Sequence, residues 1–273
     1  MLTHAVESYL AVRCACGFGL KNETRFLRSF AAFSGARGKS YLCSDTAIEW
    51  AGLARSVGER ARRLGDVIQF ARYVRAEDPR HELPPPAFGS ENRRRPVPYI
   101  FSTHDIERLV QAAYQPVYPD WRRDTYSTLF ALLACTGLRV SEAIHLRVED
   151  ITPDGLVIRC SKFRKSRLVP LHDTVRAQLA RYLERRGHYV PFDDHVFVSL
   201  RGTPLLLGEV ERAFHAIATK AGLPREPGHP RATLHGLRHT FAVRALETCP
   251  DGRDHITQHM LALSTYLGHS TIA

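Results

Sequence analysis

The chain has 273 residues with 44% hydrophobic and 24% charged content, a balance ordinary for a soluble globular protein that buries one large core or two smaller ones. A net charge of +10 favours a polyanionic partner, nucleic acid ahead of membrane, because no basic amphipathic helix with a lipid-facing stripe stands out. The longest apolar stretch, around Leu129 to Leu138, is too short to span a bilayer, and the N-terminus (His4, Glu7, Arg13) has no secretory apolar core. The six cysteines form no CxxC pair and read as small core residues of a cytoplasmic protein.

In chain order, residues 3–76 read as helical. A first helix is expected over Ala5 to Arg13, and a second after Asn22 with Phe26, Leu27, Phe30 and Phe33 at helical spacing. A third, capped by Ser44 or Asp45, carries Ile48, Trp50 and Leu53. A fourth, capped by Ser56, carries Leu64, Val67, Ile68, Phe70, Ala71 and Val74. Together they predict a helical domain over residues 1–80. Residues 81–97 are rich in proline (Pro84, Pro85, Pro86, Pro96) and contain Arg93, Arg94 and Arg95, so they are expected as an extended linker suited to following a phosphate backbone.

A second domain is expected over residues 98–273. Ser102 caps a helix, Trp121 to Thr136 forms a long apolar helix that Gly137 ends, and a short helix follows from about Ser141 to Leu146. The apolar runs Leu156-Val157-Ile158 and Leu168-Val169 bracket a basic turn containing Lys162 and Lys165, a hairpin pattern. Asp173 to Arg186 reads as a helix, His195 to Val198 as a strand, and Glu209 to Ala221 and His235 to Leu246 as helices. The fold class is mainly α with a small antiparallel sheet.

Three short motifs punctuate this domain: Thr136-Gly137-Leu138-Arg139-Val140-Ser141-Glu142, Leu234-His235-Gly236-Leu237-Arg238-His239-Thr240, and Leu267-Gly268-His269. Singly, each arginine or histidine fits a structural role. In this order, with a lysine hairpin between the first two, they resemble the tyrosine recombinases, also called phage integrases. The resemblance spans nearly all of residues 98–273.

It implies a phosphodiester transesterification site. Arg139 and Arg238 would grip the nonbridging oxygens of a phosphate as charge builds there. Lys162 would protonate the departing 5′ oxygen, with Lys165 a substitute or a phosphate contact. His235, one helical turn before Arg238, would orient the phosphate or accept the nucleophile's proton, and His269 would donate to a nonbridging oxygen. Glu142 would buttress the arginines. No cofactor is implied, and no metal either, since the His235/His239 and His255/His259 pairs lack a third ligand and the HExxH glutamate. By position and helical content, residues 1–80 resemble the family's core-binding domain.

The resemblance also raises an expectation about the nucleophile. The attacking tyrosine of the family lies roughly nine residues beyond the histidine that matches His269, whereas this sequence ends at Ala273. The chain is therefore expected to be truncated before its nucleophile, with Tyr266 a packing residue on the helix that leads to His269. Two readings stay open. One is a recombinase of a mobile element, inactive unless another chain supplies the tyrosine. The other is a non-enzymatic DNA-binding remnant that occupies recombination sites. Expected partners are duplex DNA and further copies of the chain on DNA, with no membrane.

Overall fold

The computed structural model describes residues 2–89, 97–115, 119–159, 166–189, 194–199, 201–223, 230–249 and 253–268. Two compact units emerge, Met1–Arg95 and Pro96–Ala273.

The first unit is a four-helix bundle of α1 (Leu2–Ala15), α2 (Lys21–Ala36), α3 (Ser44–Gly52) and α4 (Val57–Glu77). The apolar stripes of α2 and α4 face inward. Leu27, Phe30, Val67 and Phe70 are fully buried, and Trp50 tilts against Phe30 with ring centroids 5.5 Å apart. Ser56 caps α4 by accepting from the Glu59 amide at 3.2 Å. At α3 the expected side-chain cap is replaced: Cys43 holds the N-cap position, and the Ser44 amide donates to the Glu82 carboxylate at 2.7 Å. That carboxylate lies 38 residues away in sequence, beyond the reach of a local capping rule. It belongs to a strap over residues 81–88, in which the Glu82 amide donates to the Leu42 carbonyl and Phe88 packs on the bundle core. Arg93, Arg94, Arg95 and Pro96 lie outside the described residues.

The second unit is mainly helical with one small sheet. Its elements are α5 (Thr103–Ala113), α6 (Asp120–Thr136), α7 (Val140–Ile144), a 3-10 turn at Val148–Asp150, β1 (Ile151–Thr152), β2 (Gly155–Ile158), β3 (Arg167–Val169), α8 (Asp173–Tyr189), α9 (Leu207–Lys220), α10 (Leu234–Glu247) and α11 (Arg253–Leu267). The sheet is antiparallel in the order β1-β2-β3, with Leu156 opposite Val169 and Ile158 opposite Arg167. A Ser102–Asp105 capping box starts α5. Helix α6 runs through the middle, packed by α5, α8 and α10. Its Leu129, Phe130 and Leu133 are essentially fully buried, each contributing about 1.5–3 kcal/mol of transfer free energy.

Two expectations are corrected. His195 to Val198 makes only isolated bridges, Arg147 with His195 and Val198 with Pro204. Val196 and Phe197 are fully buried, so the apolar run fills the core, while the 3-10 turn after Arg147 stops a ladder from extending. The five described cysteines are not core residues either. Cys14, Cys16 and Cys135 are exposed and Cys43 and Cys249 half-buried, while Cys160 lies outside the described residues. Cys14 and Cys16 sit where α1 runs out into solvent, which the spacing of a single sulfur-bearing residue does not reveal. Among the described residues no helix is long and apolar enough to cross a membrane.

Candidate active site

Helix α6 delivers the first arginine. Gly137 ends the helix in the left-handed region at φ 61°, and a Cβ there would lie 2.5 Å from Phe241 Cδ1, so the turn requires glycine twice over. Leu138 drops into the core, and Arg139 begins α7. Glu142 holds Arg139 at both ends: its Oε2 accepts from the Arg139 amide at 2.9 Å and its Oε1 from Nη1 at 2.8 Å. Arg139 Nη2 donates to the Gly268 carbonyl at 3.1 Å.

Arg238 arrives from α10. Its Nη1 donates to the Gly137 carbonyl and its Nη2 to the Leu267 carbonyl, each at 2.7 Å. The two arginines, 99 positions apart in the sequence, thus meet on consecutive carbonyls at the end of α11. Only 4% of Arg238 is exposed. Burial, and then the positive charge of Arg139, push its pKa down to about 10, so it remains a cation at neutral pH.

The N-terminus of α10 is set by close approach. Thr233 caps it by accepting from the Gly236 amide at 3.0 Å, and a Cβ on Gly236 would lie 3.0 Å from both Phe101 Cε2 and the Tyr99 carbonyl. His235 and His239 are exposed on the next face, their rings edge-to-face with centroids 4.6 Å apart. Burial and the neighbouring Arg238 charge lower the His239 pKa, which favours its neutral form.

Arg167, the first residue of β3, also belongs to this cluster and was not singled out by motif. Its Nη1 and Nη2 donate to the two oxygens of Glu142 at 3.0 and 2.7 Å. Glu142 is therefore clamped between Arg139 and Arg167. Its burial raises the pKa, but the hydrogen bonds and charges of Arg167 and Arg139 outweigh that and leave it lowered. The signal available in sequence was only that Arg167 closes the basic turn.

Tyr266 is part of the packing. Its ring stacks on Phe241 at 5.3 Å, its hydroxyl donates to the Thr136 carbonyl at 3.1 Å, and burial pushes its pKa up to about 12. The helix carrying it ends at Leu267, and Gly268 turns left-handed at φ 67°. Lys162, Lys165 and His269 lie outside the described residues. Beside Arg139 opens a groove of about 850 Å³ whose charged lining is mixed, Arg147 and Arg159 facing Glu142, Glu149 and Asp150. A rigid pair of planar, permanently charged forks next to an open groove is suited to gripping a phosphodiester.

The fold is that of site-specific DNA recombinases. The XerH recombinase in its pre-cleavage complex superposes with a TM-score of 0.68 at 20% identity, covering 100% of this chain and 80% of that one. A lambda integrase tetramer bound to a Holliday junction gives 0.67 at 19%, covering 100% and 78%. A model of the phage integrase family matches residues 100–272. A Sinorhizobium fredii protein, y4rB, named as an integrase/recombinase, is 36% identical over 98% of this chain and 89% of its own length. The tyrosine recombinase XerD of Caulobacter vibrioides is 32% identical over 78% of this chain and 67% of its own. The chain belongs to the phage integrase family of tyrosine recombinases.

Proposed function

We propose that the protein binds duplex DNA at recombination sites and holds a scissile phosphate for transesterification in the service of a mobile element. The observation that carries this reading is the meeting of Arg139 and Arg238 on the Leu267 and Gly268 carbonyls, beside an open groove. In this reading Arg139 and Arg238 stabilise the charge that builds on the phosphoryl oxygens, His235 and His269 orient the phosphate, and Lys162 protonates the leaving oxygen. The helical domain over residues 1–80 acts as the core-binding domain, residues 81–97 link it to the catalytic domain over 98–273, and copies of the chain assemble on the DNA. The protein works in the cytoplasm, without cofactor.

Tyr266 favours a second element of the proposal. Its hydroxyl is engaged by a backbone carbonyl and its pKa is raised, both of which oppose nucleophilic attack. We infer that these 273 residues occupy a recombination site without forming a phosphotyrosyl bond through Tyr266. The test incubates the chain, its Tyr266→Phe variant and a form extended beyond Ala273 with nicked suicide duplexes. DNA binding without a covalent adduct from the unextended chain is expected. An adduct lost in Tyr266→Phe would make Tyr266 the nucleophile and overturn its assignment to packing. Absence of DNA binding at low salt would remove the recombinase reading of this chain.

A further inference from the structure

The Arg167–Glu142 contact is a nearly buried, two-pronged ion pair, with side-chain exposures of 11% and 6%. Such pairs add little net stability, because desolvation cancels most of the attraction. Its position suggests another use. Arg139 and Glu142 alone sum to zero charge, and a buried carboxylate with a single cation beside it would hold that cation firmly in a low-dielectric setting. With Arg167 the trio carries one net positive charge.

We propose that Arg167 is a positioning residue of the phosphate site: its fork takes up the charge of Glu142, leaving the charge of Arg139 uncompensated and available to a phosphate. The proposal rests on the reading of Arg139 and Arg238 as a phosphate grip. Geometry adds a second link. Arg167 lies five residues after Lys162 in the sequence, and its Nη1 is 3.1 Å from where a Cβ on Gly268 would stand, one residue before His269. One side chain therefore starts from the strand that follows the lysine segment, grips the carboxylate that holds Arg139, and lies close beside the glycine that precedes the histidine. A lysine could not substitute fully, since a point charge cannot span both Glu142 oxygens as the planar fork does at 3.0 and 2.7 Å.

The test measures binding of inorganic phosphate to the 273-residue chain by titration calorimetry, with the thermal midpoint of each variant recorded. The component of binding lost in Arg139→Gln reports the site. Arg167→Met should weaken that component by about tenfold or more, the scale of one charge-assisted hydrogen bond. Arg167→Lys should fall between Arg167→Met and the wild type. The double variant Arg167→Met/Glu142→Gln should return to within about threefold of the wild type, because no carboxylate then competes for Arg139. A merely structural role would not be rescued by changing Glu142. Folded Arg167→Met that binds like the wild type, or a double variant as weak as the single, would sink the proposal. If Arg167→Met does not fold, the double and lysine variants carry the same comparison. A wild type that binds neither inorganic phosphate nor duplex DNA would defeat the phosphate-grip reading and Arg167 with it, whereas wild-type binding without rescue defeats Arg167 alone.

Discussion

The arginines of the bundle and those of the catalytic unit are held by different physics. In the bundle Arg37 lies over Phe33 at 3.5 Å, Arg13 over Phe18 at 4.0 Å and Arg63 over Trp50 at 5.4 Å, with Arg37 and Arg63 also paired to Glu49 and Glu59. Such contacts fix a cation's head less strictly than several buried acceptors do. In the catalytic unit Arg139, Arg167 and Arg238 are directed by named acceptors and largely withdrawn from solvent. The first arrangement suits a diffuse field along a polyanion, the second a fixed geometry around one phosphate.

The sharpest way to break this contrast is at Arg238. Arg238→Met leaves the Gly137 and Leu267 carbonyls buried without their charged donors, and should destabilise the catalytic unit by about 3 kcal/mol. Urea unfolding measures this, and a loss well under 1 kcal/mol would mean the site is not rigidly held. Gly137→Ala follows, with an expected cost of about 2–3 kcal/mol from the left-handed backbone and the Phe241 ring.

Acid should move the two units in opposite directions. Asp66 in the bundle is raised from 3.8 to about 6, by burial first and then by the Glu23 charge. A raised carboxyl contributes stability that is full below pH 3.8 and lost as pH rises through about 6. Glu142 is lowered from 4.5, so its contribution is present above pH 4.5 and lost as pH falls through its folded value. Hydrogen exchange read separately on α4 and α6 should show the bundle gaining protection from pH 7 to 5 through Asp66, with no loss through Glu142 until stronger acid. Asp66→Asn should stabilise the bundle at pH 7 by on the order of 1–2 kcal/mol and remove its gain. At the smallest end, Arg28→Gln breaks an exposed two-pronged pair with Glu7 and should leave the thermal midpoint of the bundle nearly unchanged.

What the sequence revealed follows the range of the interactions. The α2 and α4 stripes were legible because helical periodicity is local, and Arg139 and Arg238 because they sit in short motifs. Ser56 and Ser102 announced their helices for the same reason. The cap on α3 was hidden because Glu82 supplies it from outside the helix. Arg167 was hidden because its meaning depends on a buried carboxylate 25 positions earlier, and in the sequence it is one of several basic residues in a turn. The apolar run His195 to Val198 misled because burial, and not strand pairing, is what selected its residues.

The central claim, that Arg139 belongs to a phosphate grip within a DNA-binding protein, is tested most directly by the salt dependence of duplex DNA affinity for the wild type and Arg139→Gln. The wild type should lose affinity steeply as salt rises, with log Kd linear in log salt, and Arg139→Gln should bind more weakly with a slope reduced by about one. Affinity that is flat in salt, or identical in magnitude and slope for the two proteins, would contradict it.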